Sequence, residues 1–165
     1  MIISLTGYMG SGKSCVGEEL AGLLGYPFID MDEYVAHKKG CAIPEIIKNE
    51  GEDAFRALEA ECVRDIIIMR ELTGEDLVLA LGGGTLTINS VRDFILTKTK
   101  CVYLRATFET IVGRIGSAPS SRPLFSQSSY LKRLPVYEIS GYAVDTDGKT
   151  PQSVAREIKN FSVYL

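Results

Sequence analysis

The sequence predicts an α/β fold in which a parallel β-sheet is covered by helices on both faces. Apolar runs typical of buried strands alternate with segments of helical periodicity along nearly the whole chain. A glycine-rich segment that ends in Lys and Ser stands between the first apolar run and the first helical segment. The chain has 165 residues, 45% of them hydrophobic, which suits one domain with a buried core over residues 1–165.

The first half of the chain is predicted to contain two strands and four helices. The strands are short apolar runs, as expected where a sheet is covered on both faces. The first helix carries its leucines on one face, and Gly25 and Gly40 are typical of helix ends. The strands are predicted over residues 2–6 and 27–30, and the helices over residues 14–25, 31–40, 43–51 and 53–72.

Three further strands alternate with helices in the second half of the chain. Residues 116–129 interrupt this alternation, because they are rich in Ser and Pro and have no clear period. We expect them to form a mobile loop. The strands are predicted over residues 77–81, 101–105 and 142–146, and the helices over residues 89–97, 107–115, 130–139 and 151–161.

The charge of the chain disfavours nucleic acids and membranes as partners. With a formal net charge of −3, the chain gives no electrostatic reason to bind a polyanion or an anionic membrane. No apolar run approaches the ~20 residues that span a bilayer. Met1 opens directly on a strand without a basic leader, so we expect a cytoplasmic protein. The small size of the chain predicts a monomer.

The cysteines and the single histidine predict no metal site. Cys15, Cys41, Cys62 and Cys101 could form two disulfides, but they contain no Cys-x-x-Cys pair. Cys15 and Cys101 fall in segments predicted to be a buried helix and a buried strand, so we expect reduced thiols. A single histidine excludes a multi-histidine metal site, and we expect His37 to be a solvated helix residue.

Residues 7–14, GYMGSGKS, match the phosphate-binding pattern GxxxxGK[ST]. The backbone N–H groups of such a loop point at phosphate, and the following helix adds its positive N-terminal end. Lys13 would reach the β- and γ-phosphates, and Ser14 would offer its hydroxyl to Mg²⁺. A chance glycine turn is the alternative, which the strand–loop–helix context disfavours. The predicted nucleotide-binding residues are Gly10, Ser11, Gly12, Lys13, Ser14 and Cys15.

Three motifs are predicted to meet at one edge of the sheet. Gly7, Asp30 and Gly82 each lie just past the end of a predicted strand, and ligands bind beyond the carboxyl ends of parallel strands. A GTP switch is disfavoured because TKTK (97–100) lacks the Asp of a guanine-specificity motif and precedes a strand. A motor or transport ATPase is disfavoured because strand 77–81 ends in three glycines rather than in an Asp. Of these classes of phosphate-loop protein, the sequence therefore favours a small-molecule kinase.

Four motifs, taken in order, resemble the shikimate kinase family over about residues 1–160. They are GYMGSGKS, FIDMD, FRALE with the following GGG, and RPLF…KRLPVYE. The resemblance implies a P-loop NTPase of the nucleoside-monophosphate-kinase type, with a five-stranded parallel sheet in a three-layer α/β/α arrangement. It also implies substrate-binding helices over about residues 31–60 and a mobile lid over about residues 114–129. The implied reaction transfers the γ-phosphate of MgATP to the 3-hydroxyl of shikimate, in aromatic amino-acid biosynthesis.

The resemblance assigns two arginines to the carboxylate of shikimate. Arg56 and Arg133 match them, and the planar guanidinium suits a carboxylate. Arg56 could instead form an ordinary ion pair with Glu52 or Glu59 on its helix. We expect Glu59 to support Arg56 from behind. Lys132 competes with Arg133 for its assignment.

Two carboxylates and three glycines complete the implied substrate side. Asp32 matches the residue that binds the substrate hydroxyls, and it would orient the attacking hydroxyl or deprotonate it. A helix N-cap is the alternative for Asp32. Asp30 matches the residue that helps to hold Mg²⁺, through water, beside Ser14. The backbone of Gly82, Gly83 and Gly84 would approach the substrate closely, unless these residues form only a turn.

The implied nucleotide side includes four further residues. Arg122 matches a lid arginine that binds ATP and acts in catalysis, together with Lys13 and Asp32. Arg114 matches a residue that stacks on adenine. Only ten residues separate Arg122 from Arg133, fewer than is usual in the family, which predicts a short lid. The other wall of the adenine pocket would include Lys149 and Pro151.

Two other functions would use the same nucleotide site. A kinase for gluconate or for a nucleoside monophosphate would keep the phosphate loop but lack the joint DMD, FRALE and GGG set. A nucleotide-binding module without catalysis would have lost a catalytic or binding residue. Lys13, Asp32 and Arg133 are all present, which favours an active kinase.

Overall fold

Five parallel strands form one sheet in the computed structural model, which describes residues 1–116 and 124–162. They are β1 (Ile2–Thr6), β2 (Phe28–Asp30), β3 (Leu77–Ala80), β4 (Lys100–Arg105) and β5 (Tyr142–Asp145). Their order across the sheet is β2-β3-β1-β4-β5, and every neighbouring pair is parallel. The central strand, β1, is buried along its whole length, as its continuous apolar run predicts.

Eight α-helices lie between and after these strands within the described residues. Gly25 and Gly40 are the C-caps of α1 and α2, close to the helix ends that the sequence predicts. A short 3-10 helix, Thr85–Thr87, follows the three glycines and was not predicted. No helix in the described ranges is long and apolar enough to cross a membrane. The α-helices are α1 (Lys13–Leu24), α2 (Met31–Lys39), α3 (Ile43–Glu50), α4 (Glu52–Thr73), α5 (Asn89–Lys98), α6 (Phe108–Ile115), α7 (Gln127–Tyr137) and α8 (Pro151–Ser162).

Helices cover both faces of the sheet, which confirms the three-layer prediction. Alternate side chains of a strand point to opposite faces. Ile2 and Leu79 therefore pack against buried residues of α2, α3, α4 and α5, whereas Ile3, Leu5 and Val78 pack against α1 and α8. Each such buried aliphatic side chain contributes about 1.5–3 kcal/mol relative to an exposed one. Because all five strands are parallel, the loops that follow them start at the same edge of the sheet.

A third cluster, here called the aromatic cluster, joins the residues that follow β1 to α6 and α7. The rings of Tyr8 and Tyr130 meet edge to face with centroids 5.4 Å apart. Those of Tyr103 and Tyr137 lie 5.2 Å apart. The buried members of the aromatic cluster are Tyr8, Tyr103, Ala106, Ile111, Tyr130 and Tyr137.

Residues 127–129 of the segment predicted as a loop over residues 116–129 belong to a helix. Helix α7 begins at Gln127 rather than near residue 130, because Ser126 caps it by accepting a hydrogen bond from the Ser129 amide at 3.0 Å. The helix ends at Tyr137 rather than at residue 139. At the other end of the predicted lid, residues 114 and 115 belong to α6. Residues 117–123 lie outside the described residues.

The four cysteines, all of which are described, are free thiols, as predicted. Cys15 is exposed, however, and the prediction that it is buried was wrong. Helix α1 buries the face that carries Val16 and Leu20, and Cys15 does not lie on it. Cys101 is buried in β4, and His37 is exposed on α2, both as predicted.

Candidate active site

Two adjoining pockets lie at the edge of the sheet where the motifs were predicted to meet. The larger, here called the loop pocket, has a volume of about 650 Å³ and is lined by the glycine-rich loop. The smaller, here called the arginine pocket, has a volume of about 320 Å³ and contains Arg56 and Arg133. Met9, Asp32 and Gly83 line both. A ligand in one pocket therefore lies next to a ligand in the other.

The loop between β1 and α1 holds Lys13 over its own backbone. Gly12 is the N-cap of α1 with φ of 99°, a left-handed conformation that favours glycine. Nζ of Lys13 donates to the carbonyls of Gly7 at 2.9 Å and of Tyr8 at 3.2 Å. The loop thus combines an ammonium group with the N-terminal end of a 12-residue helix, which attracts phosphate. All residues from 10 to 15, the predicted nucleotide-binding residues, line the loop pocket.

Ser14 and Asp30 contact each other in the loop pocket. The Ser14 hydroxyl donates to Oδ2 of Asp30, whose Oδ1 accepts from the Asp32 amide at 2.9 Å. Asp30 is thus the N-cap of α2, the role considered for Asp32. Within residues 1–116 and 124–162, no three His, Cys, Asp or Glu side chains form a metal site by themselves. A hydroxyl beside one carboxylate nevertheless fits Mg²⁺, whose other ligands in such sites are phosphate and water.

Arg114 connects the glycine-rich loop to the segment between β5 and α8. Its guanidinium donates to the Thr146 carbonyl at 2.8 Å and to two loop carbonyls at 3.1 and 3.4 Å. The Lys149 ammonium group pairs with Glu157 at 2.7 Å, and Pro151 is the first residue of α8. Arg114, Lys149 and Pro151 all line the loop pocket, so the structure brings the three described residues of the predicted adenine side together.

The arginine pocket combines charged and apolar walls. Arg56 comes from α4 and Arg133 from α7, and Asp32 is the one carboxylate residue in the described lining. A small carboxylic acid with a carbon ring fits such a pocket, because cations meet the acid and apolar side chains meet the ring. The apolar lining consists of Met9, Ile43, Pro44, Ile47, Phe55 and Leu124.

Glu59 holds Arg56 in the wall of the arginine pocket. Nη1 of Arg56 donates to Oε2 of Glu59 at 2.7 Å, and Nε lies 3.7 Å from Glu52. The Glu59 side chain is only 1% exposed, and its second oxygen accepts from the Thr85 hydroxyl at 2.5 Å. The ion pairs considered from the sequence are both present. Arg56 still lines the arginine pocket while it forms these ion pairs.

The glycine run makes room for these two side chains. A Cβ at Gly82 would lie 2.0 Å from Oε1 of Glu59, and a Cβ at Gly84 would lie 2.2 Å from Nη2 of Arg56. Gly83 and Gly84 line the arginine pocket, but Gly82 lines neither of the two pockets. Glu59 occupies the space beside Gly82, and contact of Gly82 with the substrate stays a prediction. Three glycines in a row serve packing as well as the turn.

Arg133 lies between the glycine run and an aromatic ring. Its Nη1 donates to the Gly83 carbonyl at 3.4 Å, and its guanidinium carbon lies 5.5 Å from the centre of the Tyr8 ring. Tyr137 donates its hydroxyl to the same Gly83 carbonyl. Lys132, the competing candidate, is exposed and lines neither of the two pockets. The geometry therefore favours Arg133.

The carboxyl group of Asp32 lies where the two pockets join. It is open to the solvent of the pockets, yet the surrounding protein desolvates it and raises its pKa to about 6. The positive charge of Lys13 opposes this increase in pKa. The carboxylates of Glu59 and Asp30 add to the increase, and Arg56 opposes it. A carboxyl with such a pKa is ionised at neutral pH and can accept a proton from a nearby hydroxyl.

Several pocket residues were not predicted from the sequence. Met9, Phe55 and Leu124 are apolar. In a sequence, an apolar residue that lines a pocket cannot be distinguished from one that is buried in the core. Thr146 lines the loop pocket, and its carbonyl accepts a hydrogen bond from Arg114 that no sequence motif encodes. Arg122 lies outside the described residues, so its place in the site stays a prediction.

Comparisons with known proteins identify the family. The family model for shikimate kinase matches residues 9–162. The chain belongs to the shikimate kinase family. It is 41% identical to a shikimate kinase of Thermus thermophilus, over 94% of this chain and 86% of that protein. Shikimate kinase of Acinetobacter baumannii, solved in complex with shikimate, is 32% identical with a TM-score of 0.87, over 99% of this chain and 93% of the other. The Aquifex aeolicus shikimate kinase is 30% identical with a TM-score of 0.83, over 97% of this chain and 95% of the other.

The family resolves the alternatives that the sequence left open. The chain is an ATP-dependent kinase whose acceptor is shikimate. The resemblance inferred from the four motifs is confirmed, and so is the predicted fold class of a shikimate kinase. A kinase for gluconate or for a nucleoside monophosphate, and a module without catalysis, are the hypotheses that this match sets aside.

Proposed function

We propose that the loop pocket binds ATP, that the arginine pocket binds shikimate, and that the γ-phosphate passes between them to the 3-hydroxyl. The observation that carries this arrangement is the wall that the pockets share, formed by Met9, Asp32 and Gly83. Positioning two reactants side by side supplies much of the catalysis in phosphoryl transfer, which needs little covalent chemistry from the protein.

Arg56 and Arg133 bind the carboxylate of shikimate in this proposal. Each guanidinium lines the arginine pocket, and each can form charge-assisted hydrogen bonds with a carboxylate. Glu59 keeps Arg56 extended toward the pocket. The apolar side chains of Ile47 and Phe55 cover the carbon ring, and the backbone at Gly83 and Gly84 completes the wall.

Asp32 orients the 3-hydroxyl and accepts its proton as the bond to phosphorus forms. Its raised pKa, about 6, leaves it ionised at neutral pH and makes it a stronger base than an ordinary aspartate. As the new O–P bond forms, the bond between the γ-phosphorus and the bridging oxygen breaks, and ADP leaves with the released charge.

Lys13 and the backbone of the glycine-rich loop stabilise the phosphates. The Lys13 ammonium group already lies over that loop, close to where the transferred phosphate must pass. Ser14 and Asp30, the latter through water, hold Mg²⁺, which when bound neutralises charge on the phosphates. Arg122 supplies further positive charge from the lid, and Arg114, Lys149 and Pro151 surround the adenine.

We also propose that the chain acts as one domain and as a monomer in the cytoplasm. A single sheet runs through the described residues, with helices on both faces, and both pockets are built from this one chain. The net charge of −3 supports small molecules rather than nucleic acids or anionic membranes as partners.

Release of ADP from MgATP, with shikimate, gluconate, AMP and CMP offered separately, tests this proposal. We expect ADP only with shikimate, and the carbon that carries the new phosphate is identified by NMR of the product. The Lys13→Ala variant, checked for folding by circular dichroism, should lose turnover with every acceptor. Turnover with another acceptor, phosphate at another hydroxyl, or near-normal activity of the Lys13→Ala variant would each contradict the proposal.

A further inference from the structure

The hydroxyl of Tyr8 reaches from the glycine-rich loop to the start of α7. Tyr8 is buried, and its hydroxyl donates to the Ser126 carbonyl at 3.0 Å and accepts from the Ser126 amide at 3.0 Å. It also contacts the hydroxyl of Ser129, which donates to the Leu124 carbonyl at 3.0 Å. Ser126 is the N-cap of α7. One phenol group thus binds the capping residue of the helix that carries Arg133.

The backbone of Tyr8 organises the nucleotide side of the site. Its carbonyl accepts from Nζ of Lys13 at 3.2 Å and from the Ser11 amide at 3.0 Å. These bonds form the turn of the glycine-rich loop and hold the lysine over it. The main chain of Tyr8 is therefore part of the loop pocket's architecture, whereas its side chain serves α7.

The ring of Tyr8 also faces the acceptor side. The Arg133 guanidinium carbon lies 5.5 Å from the centre of the ring, within the range of a cation–π contact. Leu124, tied to Tyr8 through Ser129, lines the arginine pocket together with Arg133. The ring itself is fixed by Tyr130 of α7 at 5.4 Å. Tyr8 therefore contacts groups on both sides of the shared wall.

We propose that Tyr8 is a positioning residue, whose hydroxyl sets the place of α7 and of Arg133 relative to the glycine-rich loop. The inference rests on the proposed role of Arg133 in binding the shikimate carboxylate. The carboxylate must be held at a fixed distance from the phosphate if the 3-hydroxyl is to meet it in line. A direct bond between the loop and the cap of α7 fixes that distance, because both pockets are then built on one residue.

The Tyr8→Phe variant removes the hydroxyl and keeps the ring. It leaves the Ser126 amide without its buried acceptor, so the start of α7 loses its connection to the loop. We expect the KM for shikimate to rise about 10-fold, whereas the KM for ATP changes less than about 2-fold. In an Arg133→Ala background, the same substitution should raise the shikimate KM by less than about 3-fold, because Tyr8 acts through Arg133.

Tyr130→Phe is the matched control. Tyr130 belongs to the same aromatic cluster and to α7, and its hydroxyl donates to the Ala106 carbonyl at 2.9 Å, away from both pockets. We expect it to lower the melting temperature about as much as Tyr8→Phe does, with a change in shikimate KM below about 2-fold. Equal effects of the two variants on the shikimate KM would overturn the proposal, since any loosening of the cluster would then suffice.

Hydrogen exchange of the protein without substrates provides a second, independent measurement. Tyr8→Phe should accelerate exchange of the amides at the start of α7, residues 126–133, more than Tyr130→Phe does. Unchanged exchange there would show that the Tyr8 hydroxyl does not stabilise the start of α7, and this result does not depend on which substrate the kinase phosphorylates. If Arg133→Ala left the shikimate KM unchanged, the proposed function would fail instead. A full effect of Tyr8→Phe in the Arg133→Ala background would show that Tyr8 does not act through Arg133 and would overturn the inference alone.

Discussion

Gly82 and Glu59 lie so close that a Cβ on the glycine would come within 2.0 Å of the carboxylate. The absence of a side chain at Gly82 therefore makes room for the Glu59 carboxylate. The buried Glu59 carboxylate can therefore accept a hydrogen bond from Arg56, and it accepts a second one from the Thr85 hydroxyl at 2.5 Å. A buried carboxylate persists only when such partners compensate its desolvation.

Gly82→Ala tests this relationship. The added methyl group must displace the Glu59 carboxylate, so we expect a loss of about 1–3 kcal/mol in the free energy of unfolding. The KM for shikimate should rise several-fold, because Arg56 loses its fixed orientation, while the KM for ATP stays unchanged. Chemical denaturation and steady-state kinetics measure the two effects.

Gly22→Ala is the control for Gly82→Ala. Gly22 lies inside α1, and nothing approaches the position of its Cβ within 4 Å. Alanine is the better helix former, so this variant should gain about 0.5–1 kcal/mol in the free energy of unfolding with unchanged kinetics. A Gly82→Ala variant as stable and active as the wild type would show that Glu59 can move without consequence.

Arg133→Ala should raise the KM for shikimate far more than the KM for ATP. A lost charge-assisted hydrogen bond is worth about 1.5–3 kcal/mol, which corresponds to about 10- to 150-fold in the shikimate KM. Lys132→Ala removes a neighbouring positive charge from an exposed position and should change neither KM by more than about 2-fold. If the two variants behaved alike, or if both KM values of Arg133→Ala rose equally, the carboxylate would have another partner.

Asp30→Asn should separate metal binding from helix capping. Asparagine caps a helix about as well as aspartate, so the melting temperature should hardly change. The variant loses the negative charge beside Ser14, and we expect the Mg²⁺ concentration for half-maximal activity to rise about 10-fold. Titration of activity with Mg²⁺ at saturating ATP measures this. An unchanged Mg²⁺ dependence would leave Asp30 with a capping role alone.

Much of the fold and of the site could be predicted because the deciding signals are local. The apolar runs and glycine signals predicted five strands and eight helices, and the phosphate-loop pattern identified the loop that lines one pocket. Contacts between distant segments could not be predicted in this way. Tyr8 and Ser126 are far apart in the sequence, and no sequence pattern predicts the hydrogen bond between them.

Some errors arose where one residue has two plausible roles. Asp30 and Asp32 are both acidic residues at the start of α2, and only the hydrogen bonds from the Asp32 and Glu33 amides to the Asp30 carboxylate assign the cap to Asp30. A glycine beside a site suggests close approach by the substrate, but the sequence does not show that the Glu59 carboxylate also requires Gly82 to lack a side chain. The start of α7 was missed because Ser, Gln and Tyr carry little helical periodicity, whereas the Ser126 cap that begins the helix is a single hydrogen bond.

The pH dependence of activity and that of stability should both report on Asp32. Its pKa is raised from 3.8 to about 6 in the folded protein, mainly because the site desolvates it. If the ionised form binds and activates the hydroxyl, kcat/KM for shikimate should rise with pH through about 6 and then level off. Asp32→Asn should lose at least about 100-fold in kcat and should not show this rise.

Stability should change in the opposite direction. The folded protein holds the proton of Asp32 more tightly than the unfolded chain does, so this residue lowers the free energy of unfolding as pH rises from about 4 to about 7. Asparagine does not titrate. Asp32→Asn should therefore be more stable than the wild type at pH 8, and that difference should shrink as pH falls from about 7 to about 4. A variant less stable than the wild type at pH 8, with an unchanged pH profile of kcat/KM, would mean that Asp32 is neither desolvated nor the base.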